Sequence, residues 1–172
     1  MHDVKPRCEI KRRLMVLVAL FWASTVAAGT GGRAVVSLDG RWSFRLDPGD
    51  VGKAERWFDT SAAFPDGVEV PGAWQAQGYG TESDKLRHSY EGKAWYRRQV
   101  SVPSEWQGKR LFLCIGGVHR YAEVWANGAL LGEHIGYLSP FEFEVTQQVR
   151  PTEMATIVIC VDCKQREELG FF

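Results

Sequence analysis

The stretch Val118–Thr146, VHRYAEVWANGALLGEHIGYLSPFEFEVT, decides the fold class of this 172-residue chain. Ala122, Val124 and Ala126 alternate with Glu123 and Trp125, the two-residue period of a strand with one buried face. Asn127-Gly128 follows as a two-residue turn of the kind that needs positive φ at both central positions, which Asn and Gly tolerate best. Leu130 and Leu131 carry the chain back. Gly136 to Pro140 interrupts it, and Phe141, Phe143 and Val145 place an apolar face on the next strand.

The same reading extends outward in both directions. Trp42, Phe44 and Leu46 alternate with Ser43, Arg45 and Asp47 after an Asp39-Gly40 turn, and Val68 and Val70 form a short strand ending at Pro71-Gly72. Trp95 to Val102, Arg110 to Ile115 and Thr156 to Val161 complete the set. Gly52 to Thr60 reads as a short helix or an irregular excursion carrying Trp57 and Phe58. Gln75 to Gly92 has no apolar period and reads as a long loop, a length that usually marks function or mobility. Seven or eight short strands with turn signals between them, and no capped amphipathic helix, predict an all-β sandwich or jelly roll.

The first residues have a different character. Lys5, Arg7, Lys11, Arg12 and Arg13 precede the apolar run Leu14 to Trp22, and small residues end at Ala28. A basic start, a short apolar core and small residues at the cleavage position describe a secretory signal peptide over 1–28, with cleavage before Gly29. The run is shorter than the ~20 residues of a membrane span, so the expectation is a secreted or periplasmic protein with no stable membrane anchor after cleavage. Residues 29–34 read as a flexible lead. Without residues 1–28 the chain carries 16 basic and 19 acidic residues, about −3. That balance, with no clustered basic face, argues against nucleic acid as a partner. The 144 residues from Gly29 suit one domain. Cys114, Cys160 and Cys163 remain; no second CxxC or nearby His supports zinc, and Cys114 and Cys160 read as small buried strand residues.

Five motifs in order carry a family resemblance. They are SLDGRWSFRLDP (37–48), VEVPGAWQAQGYG (68–80), YEGKAWYRRQVSVP (90–103), RLFLCIGGVHRYAEVWANGALLG (110–132) and PFEFEVT (140–146). Together they resemble the N-terminal, sugar-binding, galactose-binding-like jelly-roll domain of family 2 glycoside hydrolases, the family of β-galactosidases, β-glucuronidases and β-mannosidases. The resemblance covers about Ser37 to Asp162 and assigns residues 35–163 to that domain. The corner Gly136–Pro140 and the turn Arg150–Glu153 depart from the family pattern. The resemblance implies that an immunoglobulin-like domain and a TIM barrel follow in the parent enzyme, with the two catalytic glutamates on the barrel. On that reading residues 164–172 begin a linker, and this chain alone is expected to be inert. The family's loop asparagine is not carried over, because Thr81 to Glu91 contains none.

Chemistry read from the residues agrees with an inert chain. Retaining glycoside hydrolysis needs two carboxyl groups ~5–5.5 Å apart. Glu142 and Glu144 lie two apart on a strand, ~7 Å by strand rise, and their Phe neighbours turn them toward solvent. No catalytic residue, cofactor or metal is expected. For sugar contact the candidates are Trp74, Tyr79, His88, Tyr90 and Glu91, with Gln75 and Gln77 nearby: aromatic faces to stack on and polar groups for hydroxyls. Trp74 reads first as a packing residue, and Trp42, Trp95 and Trp125 more so. Three functions stay open: the companion domain of a glycosidase acting on a glycoside substrate, a stand-alone carbohydrate-binding module or lectin, and a structural or adhesion sandwich.

Overall fold

A computed structural model describes residues 33–84 and 87–164, without the side chains of residues 83, 84 and 87. The signal peptide, most of the lead and residues 165–172 of the expected linker lie outside the described residues. Ten strands are described: β1 (Gly40–Asp47), β2 (Asp66–Val70), β3 (Thr81–Asp84), β4 (Arg87–Ser89), β5 (Lys93–Ser101), β6 (Phe112–Ile115), β7 (His119–Ala126), β8 (Ala129–Tyr137), β9 (Phe141–Glu144) and β10 (Met154–Asp162). All belong to one unit beginning at Ser37, and the described helical structure amounts to two 3-10 turns, Gln75–Gln77 and Ser104–Trp106. The chain is an all-β sandwich. A six-stranded antiparallel sheet in the order β2-β1-β5-β10-β7-β8 faces the short pair β6-β9, and β3-β4 forms a separate hairpin.

The hairpin that opened the sequence reading forms as expected. Ala126 pairs with Ala129 across Asn127-Gly128, whose φ values are 49° and 82°. Asn127 does more than turn. Its Oδ1 accepts from the Thr156 N–H at 2.8 Å and its Nδ2 donates to the Gln148 carbonyl at 2.7 Å, which ties the turn to the start of β10. β8 runs through to Tyr137, so the corner is confined to Leu138–Pro140.

The large sheet is covered on both faces, which alternation alone did not predict. Trp42, Phe44, Ala94, Ala122, Val124, Ile157, Ile159 and Val161 fill the inner core with Leu111, Leu113 and Val145. The intervening residues Trp95, Trp125, Val158 and Cys160 form a second core on the outer face, roofed by Trp57, Phe58 and Phe64 from the irregular excursion after β1. Phe58 stacks on Trp125 at 5.4 Å, and Trp57 meets Trp95 edge-on at 5.9 Å. Asp47, only 2% exposed, anchors that excursion: Oδ1 accepts from Val51 N–H at 2.8 Å, and Oδ2 accepts from Gly52 N–H and Trp95 Nε1–H, each at 3.0 Å. A Cβ at Gly52 would lie 2.5 Å from Trp95 Nε1, so this close approach admits only glycine.

Two expectations need correction. Cys160 is buried, but Cys114 is exposed, because the register pairs it with Glu142 on the solvated face of the two-stranded sheet. The segment Gln75–Gly92 is not structureless. It holds a 3-10 turn and the β3-β4 hairpin, whose polar strands TESD and RHS carry no apolar period to announce them.

Candidate functional site

The six-stranded sheet is much wider than the pair opposite it, so part of its inner face needs another cover. The segment after β2 supplies one. Tyr79 packs on Phe44 at 4.7 Å between ring centroids, and Trp74 meets Phe44, Tyr90 and Tyr96 at 6.1, 6.3 and 6.3 Å. The same segment closes the free edge of β2 with side chains. Gln77 accepts from Glu69 N–H at 2.7 Å and donates to the Glu69 carbonyl at 3.0 Å. Tyr79 accepts from Gly67 N–H at 3.3 Å and donates to the Gly67 carbonyl at 2.7 Å. Alternate residues of an edge strand present unpaired groups outward, and Gln77 and Tyr79 satisfy two of them in succession.

Between this aromatic cover, the inner face and β6 lies a cavity of about 850 Å³. Trp42, Tyr96, Ile159 and Val161 form its floor, Trp74 and Val70 one wall, and Leu113, Ile115 and Leu138 the other. Its lining is predominantly apolar, and among the described residues Asp39 is the one carboxylate in it. Trp74 is 5% exposed, and its Nε1–H has no hydrogen-bond partner. Among the described residues the cavity therefore offers aromatic surface and an unmet donor, but no second carboxyl group to share acid and base roles with Asp39. Sequence reading found Trp74 and its neighbour Gln75 and missed the rest of the lining. Its nearest signal was Ile115-Gly116-Gly117, a break between two strands where backbone lies against the cavity.

The sequence-selected residues are thus divided. Trp74, Tyr79 and Tyr90 come together in the packed cover. Tyr90 donates to the Lys93 carbonyl at 2.9 Å, and burial pushes its hydroxyl up to about 12, so it stays protonated. His88 is half-buried on β4 and Glu91 is exposed; neither lines the cavity. Glu142 and Glu144 face solvent. Glu144 accepts from Arg110 Nη2 at 2.6 Å and from Thr146 Oγ1 at 2.8 Å, and these donors lower its carboxyl to about 2. A carboxyl group held ionised in this way is unsuited to donate a proton near neutrality. Among the described residues no three His, Cys, Asp or Glu side chains gather to hold a metal, and no helix is long and apolar enough to cross a membrane.

Residues 35–168 match the family described as "Glycosyl hydrolases family 2, sugar binding domain". The chain belongs to this family. The β-glucuronidase of Paenibacillus borealis is 29% identical over 130 residues, covering 76% of this chain and 21% of that protein. The Felis catus β-glucuronidase is 31% identical over 160 residues, 83% of this chain and 24% of that protein. The human enzyme is 35% identical over 128 residues, 69% and 19% respectively. The crystal structure of Ruminococcus gnavus β-glucuronidase superposes with a TM-score of 0.69 at 26% identity, over 77% of this chain and 22% of that one. The chain thus spans about a quarter or less of the length of these family 2 relatives.

Proposed function

We propose that this domain is the non-catalytic companion of a secreted family 2 glycosidase that hydrolyses O-glycosides, with β-glucuronides as the substrate class. The observation that carries this reading is the match across residues 35–168 to a sugar-binding domain whose relatives are β-glucuronidases. The apolar cavity supports it, because aromatic surface beside a single carboxylate suits recognition or packing better than bond cleavage. We read the sandwich as a galactose-binding-like jelly roll reached after cleavage of a signal peptide over 1–28. In this proposal the exposed Glu91 and half-buried His88 are the substrate-facing members of the predicted set. Trp74, Tyr79 and Tyr90 form the packed base that positions them. Immunoglobulin-like and barrel domains of the same parent supply the chemistry.

The test compares the 172-residue chain with the native protein that carries the domain. Alone, the chain is expected to release no aryl aglycone from β-glucuronide, β-galactoside or β-mannoside substrates, whereas the native protein cleaves the glucuronide. Turnover by the chain alone overturns the non-catalytic reading. A stand-alone binding module is the second reading, favoured by the preformed cavity. Saturable binding of neutral sugars by a native protein of 19.4 kDa decides for it.

A further inference from the structure

The outer face of the large sheet holds a second concavity, distinct from the cavity above. The excursion after β1 roofs only part of that face. Beyond its edge Arg41, Ser43, Arg97, Arg98 and Gln99 line a pocket of about 250 Å³. Every one of these side chains can donate a hydrogen bond, and none is a carboxylate.

The arginines are held in place by backbone. Arg98 Nη1 donates to the carbonyls of Asp39 and Arg41 at 3.1 and 3.3 Å. Arg97 Nη2 donates to the Thr60 carbonyl, and its Nε–H is buried with no partner. The Arg41 guanidinium lies flat on β2 over Gly67, where a Cβ would come within 2.6 Å of it. Among the described residues no carboxylate lies within ion-pair distance of Arg97 or Arg98. Arg41 meets Glu69 only at 3.8 Å, between side chains 71% and 58% exposed, a pairing worth little in water. Arg98 leaves β5 on the inner face beside Ile157 and meets the pocket only where its guanidinium bonds the β1 backbone. Arg41 and Arg97 place two like charges on the outer face, where a solvated sheet ordinarily intersperses both signs. Fixed, largely uncompensated guanidinium groups suit a planar or tetrahedral oxyanion, which they bind through paired hydrogen bonds.

We propose that this pocket binds the oxyanion of an acidic sugar, a uronate carboxylate or a sulfate ester, and so holds an anionic oligosaccharide away from the cavity. The choice of an acidic sugar rests on the glucuronide reading; the anion site rests on the arginines alone.

Calorimetric titration of the protein tests both parts. The probes are a hyaluronan tetrasaccharide carrying only carboxylates, a heparin-derived tetrasaccharide carrying sulfates, neutral cellotetraose, and inorganic sulfate. The acidic tetrasaccharides are expected to bind and to weaken as salt rises, with no heat from cellotetraose. Arg41→Gln, at an exposed site that leaves the melting temperature unchanged, is expected to weaken binding roughly tenfold, as loss of one charge-assisted contact does. Binding of only one acidic probe still supports the proposal and identifies the group. Equal binding of cellotetraose, or affinity unchanged in both Arg41→Gln and Arg97→Gln, overturns it. Arginine-dependent binding of inorganic sulfate with neither tetrasaccharide bound keeps the anion site and overturns the acidic-sugar part. Loss of glucuronidase activity in the native protein is a separate readout that bears only on the proposed function.

Discussion

Glu144 shows how a solvent-facing carboxylate acquires a defined state from its neighbours. Arg110 grips both oxygens, through Nε at 3.2 Å and Nη2 at 2.6 Å. Thr146 donates its hydroxyl to the same carboxylate while accepting from Leu111 N–H at 2.9 Å, so the ion pair is tied to the backbone at the end of the two-stranded sheet. These hydrogen bonds lower the carboxyl from the usual 4.5 to about 2. A folded-state value below the unfolded one means that the stabilisation is fully present above about 4.5 and is lost as pH falls toward about 2. Solvent screens the pair, so its contribution is modest. An NMR titration is expected to place the Glu144 midpoint below the usual 4.5, with Arg110→Ala moving it back upward. A midpoint that does not respond to Arg110→Ala would show that this ion pair does not form in solution.

At the scale of elements, the excursion between β1 and β2 acts as a third layer. It has no regular structure, yet its Trp57 is 5% exposed and lies on Trp95, with the Arg45 guanidinium 3.7 Å from the centre of its ring. Removing a buried tryptophan of this kind costs roughly 3–5 kcal/mol. Trp57→Ala is therefore expected to lower unfolding stability by about that amount in denaturant melts, and to speed amide exchange from Val51 to Phe64. A loss under ~1 kcal/mol would mean that the second core contributes packing without stability. The strands themselves were legible because their signals are local: Trp42, Phe44 and Leu46 alternate, and Asn127-Gly128 can hardly do other than turn. The excursion was not, because Trp57 and Phe58 find their partners across β5 and β7, and no spacing within residues 52–60 encodes that. The β3-β4 hairpin was missed for the opposite reason, since Thr81 to Ser89 offers no apolar residue at strand spacing. Trp74 was singled out in the sequence, but the cavity beside it is assembled largely from β1, β5, β6 and β10. A motif in one segment does not reveal a space enclosed by four others.

On the scale of the whole sandwich, the two edges of the large sheet are treated differently. The β2 edge is closed by Gln77 and Tyr79, whereas no described strand pairs with the far side of β8. An open edge is ordinarily protected by charge, proline or a bulge turned against pairing. β8 reads ALLGEHIGY, with Glu133 its only carboxylate and a register shift opposite Val124 and Trp125. Leu130, Ile135 and Tyr137 on it are 60%, 55% and 57% exposed, and Leu138 at its end, 58% exposed, continues the apolar surface to the cavity mouth. A run of this kind marks a surface that another body covers, which fits a domain built to lie beside others. The chain studied alone is therefore expected to self-associate as concentration rises through the micromolar range, seen as growing sedimentation coefficients. Ile135→Lys places a charge in the middle of the edge and should return it to monomer with little change in melting temperature, since the side chain is more than half exposed. If the unmodified chain sediments as a monomer across that range, the β8 edge is adequately guarded by Glu133 and the register shift. If instead Ile135→Lys associates as strongly as its parent, the contact lies elsewhere on the sandwich.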